Sequence, residues 1–257
     1  MGQDIQIDVS DGICRITFTR EAAFNAFSEE MAVGLVEQLR SAVSDEAIRV
    51  VVITGTGMAF SAGADLEGDD PVSNFDESTM EGAAAIIRSI IDLDKPVVAA
   101  VNGIAAGVGA SICFAADLAI CKQSAAFILA FSQIGLMVDG GSSLTVAASV
   151  GRSKAMRMAL LAEPLGAQDA FDAGLVSHVV PDEEFDDLVA KIARRLAAGP
   201  PIAYAATKRA INAATLAGLE EALAREGRGQ VMLFGTVDAA EGMRAFVQKR
   251  RPSFTGR

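Results

Sequence analysis

The chain has 257 residues, of which 51% are hydrophobic and 21% are charged, and its formal net charge is −11. This is the composition of a globular protein, and the length is compatible with one large domain or with a domain and an appendage. The negative charge excludes nonspecific nucleic-acid binding, which requires clustered Lys and Arg, so an anionic ligand would need a local basic patch.

Apolar runs and their spacing predict alternating strands and helices in the first half of the chain. Ser28 is suited to cap the first helix, and a capping box, Ser78-x-x-Glu81, predicts the start of the second. The predicted strands are 5–9, 13–18, 50–54, 97–101, 118–121 and 126–129. The predicted helices of this half are 29–43, 79–91 and 108–116. This repetition predicts an α/β fold of stacked units.

Helices predominate from about residue 140 onward. Apolar residues at helical spacing between Phe185 and Leu196 predict an amphipathic helix, and Pro200-Pro201 then breaks the chain. We therefore predict a core at 1–198 and a C-terminal helical oligomerisation region at 199–257.

Residues 97–120 form an apolar stretch long enough to resemble a membrane span. Asn102, Asp117 and several glycines interrupt it, which favours a buried strand, a tight turn and a buried helix. The opening segment, MGQDIQIDVS, lacks the basic start and apolar run of a secretory signal. We therefore predict a cytoplasmic protein without a membrane segment.

The sequence predicts no metal site. Glu67, Asp69 and Asp70 lack the spacing of a calcium loop, so we predict a solvated acidic loop there. The cysteines lie in apolar runs without C-x-x-C spacing, which predicts buried free thiols and neither zinc binding nor disulfides. The three cysteines are Cys14, Cys113 and Cys121.

Two glycine-rich turns follow predicted strands, FSAGADL at 60–66 and NGIAAGVGAS at 102–111. Glycine allows the backbone to approach a ligand closely and to present N–H donors at the start of a following helix. The turns therefore either form an anion site of main-chain donors or pack a helix tightly against a strand. Neither matches the G-x-G-x-x-G or P-loop pattern, which excludes the usual dinucleotide and nucleoside triphosphate sites.

Asp139 precedes a predicted helix in the segment IGLMVDGGSSL. It either caps that helix through its carboxylate or lies at the edge of an apolar pocket, where desolvation raises its pKa and makes it a usable base. His178, the one histidine in the sequence, lies in an alternating apolar run, and no G-x-S-x-G motif accompanies it. We predict a structural or surface role for His178 and treat a serine hydrolase as the remotest alternative.

Six segments, in this order, resemble the crotonase (enoyl-CoA hydratase/isomerase) superfamily over nearly the whole chain. They are NAF at 25–27, FSAGADL at 60–66, KPVVAAVNGIAAGVGAS from Lys95, IGLMVDGG from Ile134, GLVSHVV from Gly174 and EGMRAFVQKRRPSFTGR at the end. The resemblance implies a crotonase-like spiral of repeated ββα units with a C-terminal helical trimerisation region. It also implies a homotrimer or a dimer of trimers.

The resemblance further implies how an acyl-CoA substrate binds. The backbone N–H groups of Ala64 and Val108 would form an oxyanion hole, and Asp139 would act as acid and base. Coenzyme A enters as part of the substrate, and no tightly bound cofactor is implied. The residues implied to hold coenzyme A are Asn25, Ala26, Ala62, Asp65, Leu66 and, at a neighbouring subunit's ligand, Phe246, Lys249 and Phe254.

The sequence departs from the hydratases of this superfamily at both water-activating glutamates, where it has Ser111 and Phe131. The histidine and tryptophan of the dehalogenases correspond to Ala84 and Phe131, which disfavours dehalogenation. Asp139 falls where ring-opening and double-bond isomerases have a catalytic aspartate. We therefore predict an enoyl-CoA double-bond isomerase of fatty acid metabolism. The alternatives are a hydratase with water held by Ser111 and Asp139, and a catalytically silent acyl-CoA binder.

Overall fold

The computed structural model describes residues 4–68 and 71–257. The strands are β1 (Ile5–Ser10), β2 (Ile13–Phe18), β3 (Val50–Gly55), β4 (Ala59–Ser61), β5 (Val97–Val101), β6 (Ile104–Ala106), β7 (Leu118–Lys122), β8 (Ala126–Ile128), β9 (Leu165–Gly166) and β10 (His178–Val180). The helices are α1 (Glu29–Ser44), α2 (Glu77–Ile91), α3 (Val108–Ala115), α4 (Ser142–Leu161), α5 (Ala167–Asp172), α6 (Phe185–Ala197), α7 (Pro201–Thr215), α8 (Leu219–Phe234) and α9 (Val237–Val247).

Two β-sheets form from a repeated unit of two strands and a helix. The first sheet has the strand order β1-β2-β3-β5-β7-β10, and the second has the order β4-β6-β8-β9. In the units β3-β4-α2, β5-β6-α3 and β7-β8-α4, the first strand joins the first sheet and the second strand joins the second. Corresponding strands of successive units are parallel. The predicted α/β fold of repeated ββα units is confirmed.

Alternating side chains give the first sheet two buried faces. Val51 and Ile53 of β3 belong to the main core, which also contains apolar residues of α1, α2 and α3. Val50 and Val52 point to the other face and pack in a cluster with apolar residues of α6. The amphipathic helix predicted between Phe185 and Leu196 is therefore confirmed as α6. Burial on both faces explains why the strand is a continuous apolar run.

The apolar stretch at 97–120 folds as β5, β6, α3 and the start of β7. Asn102 lies between β5 and β6, where its Oδ1 accepts a hydrogen bond from Gly55 N at 3.1 Å. Its Nδ2 donates to Gly57 O at 3.1 Å and to Ala59 O at 3.0 Å. These bonds fix the connection that leads through β4 into the first glycine-rich turn. No helix in the described part of the chain is long and apolar enough to cross a membrane.

The starts of α1 and α2 test the two predicted caps. Ser28 caps α1 as predicted, since its hydroxyl accepts from Met31 N at 3.2 Å. The box predicted at Ser78 is wrong, because Asp76 is the N-cap of α2. The Asp76 carboxylate accepts from Ser78 N at 2.9 Å and Thr79 N at 3.1 Å, and the Thr79 side chain completes the box. Asp caps helices as well as Ser does, so the cap fell two residues earlier than predicted.

The C-terminal helices α7 and α8 are joined to the preceding core by buried contacts. The Lys208 ammonium of α7 donates to Asp117 Oδ2 at 2.8 Å and to the backbone oxygen of Ile90 at 2.8 Å. Leu219 and Leu223 of α8 belong to the main hydrophobic core. The division into a core at 1–198 and an oligomerisation region at 199–257 stays a prediction. Side chains from both ranges belong to one hydrophobic core.

Candidate active site

The two glycine-rich turns lie side by side, because they follow β4 and β6, which are neighbouring parallel strands. Gly63 and Gly107 have φ angles of +93° and +51°, a region that favours glycine. A Cβ added at Gly107 would lie 3.6 Å from the Cα of Gly63, so the turns touch at these residues. Ala64 and Val108 follow the two glycines directly. The fold thus brings together the two residues predicted as oxyanion donors.

The N–H groups of Ala64 and Val108 are available to a ligand. Neither donates a hydrogen bond within residues 4–68 and 71–257. Val108 is the first residue of α3, and Gly107, the N-cap, has no side chain that could accept from the helix start. The helix dipole adds partial positive charge at this N–H. The arrangement suits a negatively charged oxygen.

Asp139 is anchored to the first turn of α3 through Ser111. The Ser111 hydroxyl donates to the backbone oxygen of Asp139 at 2.9 Å. The Asp139 side chain is buried, with 8% of the residue exposed. Gln230 Nε2 of α8 donates to its Oδ2 at 2.7 Å, whereas Oδ1 has no hydrogen-bond partner among the described residues. A buried carboxylate oxygen without a partner is costly, which is typical of a site that acts on a ligand.

The carboxylate that caps α4 comes from Glu226 of α8. Glu226 accepts from Gly141 N at 2.7 Å and from Ser143 N at 3.0 Å. Asp139 contributes its backbone oxygen, which accepts from Ser142 N at 3.2 Å and from the Ser142 hydroxyl at 2.7 Å. Of the two roles considered for the Asp139 side chain, helix capping is therefore wrong. Its carboxylate is left available for chemistry.

The electrostatic surroundings of Asp139 suit proton transfer. Burial raises the pKa of Asp139 from 3.8 to about 7, the hydrogen bond from Gln230 opposes this shift, and the nearby Glu226 charge adds to it. Burial also raises the pKa of Glu226, against the effect of its hydrogen bonds to Ser143 and Gly141. A carboxyl group whose pKa lies near neutrality can both accept and return a proton, as acid–base catalysis requires.

Comparison with known proteins identifies the class of protein that carries this site. A family model described as enoyl-CoA hydratase/isomerase matches residues 8–257. The chain belongs to the enoyl-CoA hydratase/isomerase family. As a member of this family, it is an enzyme that acts on acyl-CoA thioesters.

Individual relatives of this family member carry different activities in their names. A protein of Rhodobacter capsulatus named "Probable enoyl-CoA hydratase" is 41% identical over 98% of both chains. The 1,2-epoxyphenylacetyl-CoA isomerase of Escherichia coli is 36% identical over 97% of both chains. The crystal structure of an enoyl-CoA hydratase from Mycobacterium avium subsp. paratuberculosis matches with a TM-score of 0.93, at 42% identity over 98% of both chains.

The positions that match the hydratase glutamates hold side chains without acid–base capacity near neutral pH. Ser111 is completely buried, and its hydroxyl is held between the backbone oxygens of Asp139 at 2.9 Å and Gly107 at 3.3 Å. Phe131 is 7% exposed, and its Cζ lies 3.9 Å from the position of a Cβ at Gly107. The tip of the phenyl ring therefore lies next to the second glycine turn.

Ala84, the residue that corresponds to the histidine of the dehalogenases, lines a groove of about 410 Å³ between α2 and α8.

Asn25, one of the residues implied to hold coenzyme A, supports the first glycine turn from behind. Its Nδ2 donates to Thr56 O at 2.9 Å and to Ala59 O at 2.8 Å. The residue is 0% exposed, so it has no surface that a ligand of this chain could contact. Its place in the NAF segment is explained by these backbone contacts and by its left-handed φ of 56°, which Asn tolerates.

The remaining residues implied near coenzyme A surround the first glycine turn. Ala62 is exposed beside Gly63. The Arg20 guanidinium pairs with Asp65 Oδ2 at 2.7 Å and donates to Ala26 O at 2.6 Å, which joins the two segments. Leu66 packs against the small cluster formed by Met80, Phe234 and Met243. The fold gathers these residues at one place, and their contact with coenzyme A stays a prediction.

Phe246, Lys249 and Phe254 lie on exposed surface at the end of α9 and in the tail that follows. The tail folds back on α9, because Asp238 accepts from Thr255 N at 2.7 Å and from Gly256 N at 2.8 Å. Within the described residues, none of the three shares a hydrogen bond with the glycine turns or with Asp139. Their contact with the ligand of a neighbouring subunit stays a prediction.

His178 lies in β10, and its Nδ1 is 3.0 Å from the hydroxyl of Ser177. That hydroxyl donates its proton to Ala119 O at 2.7 Å, which argues against a serine nucleophile activated by His178. The three cysteines are buried and free, as predicted. In the described part of the chain, no group of three or more His, Cys, Asp or Glu residues could hold a metal ion. Asp69 and Asp70 of the acidic loop lie outside the described residues.

Glu226 and Gln230 are the residues of the candidate site that sequence reasoning missed. They lie four residues apart on α8, so both project from the same side of the helix. That side also carries Leu219, Leu223 and Phe234, all buried. Two polar residues on the apolar face of an amphipathic helix were the available signal, because buried polar groups require partners.

Proposed function

We propose that this enzyme is an enoyl-CoA double-bond isomerase that moves a proton between two carbons of its substrate through Asp139. The observation that carries the proposal is Oδ1 of Asp139, a buried carboxylate oxygen without a hydrogen-bond partner among the described residues. The pKa of this carboxyl group, raised by burial to about 7, supports the same role. The Escherichia coli relative, which is named as an isomerase of an epoxyacyl-CoA, supports isomerisation of a CoA thioester in general.

The proposed reaction needs one carboxylate and one oxyanion site. The thioester oxygen of a 3-enoyl-CoA accepts hydrogen bonds from the N–H groups of Ala64 and Val108, and Oδ1 of Asp139 removes a proton from C2. The electron pair of the broken C2–H bond forms an enolate, whose charge lies on the bound oxygen. Asp139 then returns the proton to C4 while the double bond moves to C2–C3. Each N–H donor contributes roughly 3 kcal/mol to lowering the barrier.

Enoyl-CoA hydratase is the second candidate, and the name of the Rhodobacter capsulatus relative favours it. Hydration requires a base for water and an acid for C2. The Ser111 hydroxyl is held between two backbone oxygens, so Asp139 would have to perform both steps. A silent acyl-CoA binder is a third candidate, disfavoured because the Asp139 carboxylate does not cap α4.

We also propose that coenzyme A enters as part of the substrate and that the chain forms a homotrimer or a dimer of trimers. Exposed apolar residues on the C-terminal helices support subunit contacts, including Ile202 at 84%, Met232 at 67% and Phe246 at 58% exposure. The last residues, 242–257, contain no acidic residue and suit phosphate groups through Arg244, Lys249, Arg251 and Arg257, whereas Arg250 pairs with Glu241 at 2.6 Å. The free thiols favour a cytoplasmic location.

A panel of thioesters tests the proposed function. The purified enzyme should convert 3-enoyl-CoA to 2-enoyl-CoA and add little water to 2-enoyl-CoA, with 1,2-epoxyphenylacetyl-CoA as a third substrate. Hydration faster than isomerisation would identify a hydratase. Tight binding of acyl-CoA without turnover of any substrate would identify a silent binder.

A further inference from the structure

The Gln230 side chain makes three hydrogen bonds that fix the orientation of its amide. Its Oε1 accepts from Met137 N at 3.3 Å, and its Nε2 donates to Met137 O at 2.9 Å. The backbone of Met137 therefore determines which end of the amide is nitrogen. In the reverse orientation, the amide nitrogen would face Met137 N, a donor, and the amide oxygen would face Met137 O, an acceptor. With this orientation, the second N–H of Nε2 points to Asp139 Oδ2 at 2.7 Å.

This geometry makes the two oxygens of Asp139 chemically unequal. Oδ2 accepts from the N–H of Gln230, which occupies one of its two lone pairs, whereas within residues 4–68 and 71–257 both lone pairs of Oδ1 are free. Because the carbonyl oxygen of a protonated carboxyl group accepts a hydrogen bond better than its hydroxyl oxygen, this bond favours placing the proton on Oδ1, the oxygen without a partner among the described residues. Building on the proposed function, we propose that Gln230 is a positioning residue that directs proton exchange with the substrate to Oδ1 of Asp139.

Among the described groups around Asp139, the Gln230 side chain is the one that stabilises the charged form of the carboxylate. From α8, Glu226 faces Asp139 with negative charge, and Arg225 lies next to Glu226. From α3, the uncharged Ser111 donates to the backbone oxygen of Asp139, and from α2, the uncharged Ile87 lies 3.8 Å from the position of a Cβ at the adjacent Gly140. The Gln230 hydrogen bond lowers the pKa of Asp139, against burial and Glu226, which raise it. Removing this bond should therefore shift the titration of Asp139 upward.

The test replaces Gln230 with methionine, which has a similar length and no amide. We expect the pKa of Asp139 to rise by about one unit, as loss of a hydrogen bond to a charged group predicts. The acidic limb of kcat/KM for 3-enoyl-CoA should move upward by the same amount, and kcat at pH 7 should fall about fivefold or more while KM changes less than about twofold. The titration is followed by NMR of aspartate labelled with ¹³C at the side-chain carboxyl, and the Asp139 signal is identified by its loss in Asp139→Asn.

The matched control is Gln168→Met, because Gln168 Nε2 donates to Asp172 Oδ1 at 2.8 Å on exposed surface. This variant should leave the Asp139 titration and the pH profile unchanged. If Gln230→Met does not fold, Gln230→Glu provides the same measurement. It retains the shape of the side chain and places a second carboxyl beside Oδ2, which should raise the Asp139 pKa by more than about one unit.

The outcomes separate this inference from the proposed function. An unchanged Asp139 titration in the folded Gln230 variant overturns the positioning role, whatever the activity. A shifted titration in the Gln230 variant, together with a wild-type protein that has no isomerase activity, refutes the proposed function and leaves the effect of Gln230 on Asp139 intact. A fall in kcat without a shift of the acidic limb assigns Gln230 a purely structural role.

Discussion

Replacing Asp139 with asparagine separates the chemistry of this residue from its effect on stability. The two side chains have the same shape, and an asparagine oxygen can still accept the hydrogen bond that Gln230 donates to Oδ2. An amide cannot accept the substrate proton, so kcat for isomerisation should fall by about a hundred- to ten-thousand-fold. Affinity for the acyl-CoA should remain, because the N–H groups of Ala64 and Val108 are untouched.

The same substitution should change the pH dependence of stability. The pKa of Asp139 is about 7 in the folded protein and 3.8 as its ordinary value, so the native state binds this proton more tightly. The stability that protonation contributes is complete below pH 3.8 and is lost as pH rises to about 7. At 1.36 kcal/mol per unit, the full difference is about 4 kcal/mol, of which about 2 kcal/mol is lost between pH 5.5 and pH 8.

Equilibrium unfolding in urea at fixed protein concentration measures this effect. Relative to wild type, Asp139→Asn should become more stable by about 2 kcal/mol as pH rises from 5.5 to 8, while its kcat stays low. Asp117→Asn is the control for kcat, since Asp117 is a second carboxylate bonded to Lys208 outside the site, and this variant should retain kcat. Parallel stability curves for Asp139→Asn and wild type would refute the raised pKa. Full isomerase activity in Asp139→Asn would refute its role as the base.

Three further predictions concern the oxyanion site, the cap of α4 and the assembly. Val108→Pro deletes one N–H at the first position of α3, where proline is tolerated. It should lower kcat/KM about 100- to 1000-fold in steady-state assays. The control, Val108→Ala, retains the N–H and should not lower kcat/KM. Glu226→Gln places an amide NH₂ against the N–H of Gly141 or Ser143, and should cost about 1–3 kcal/mol in urea unfolding. Sedimentation of the full chain should give a trimer or a dimer of trimers, and a monomer would contradict the proposed assembly.

Local sequence patterns predicted most of the helices and strands because their determinants lie within a few residues. The apolar run at 50–54 became β3, and Ser28 became the cap of α1, since both depend on nearest neighbours along the chain. The cap of α2 was misplaced because Asp76 and Ser78 are both good caps and local sequence does not rank them. The glycine turns were recognised as candidates, but their contact depends on the pairing of β4 with β6.

The role of Asp139 could not be read from the segment IGLMVDGG, which fits a helix cap as well as a base. The choice depends on α8, which lies far along the chain and supplies Glu226 to cap α4 and Gln230 to hold Oδ2. A pKa depends on desolvation and on charges in three dimensions, neither of which is encoded in neighbouring residues. The sequence therefore specified which residues are candidates for the chemistry, and the packing of α8 against the loop before α4 buried one carboxylate and raised its pKa.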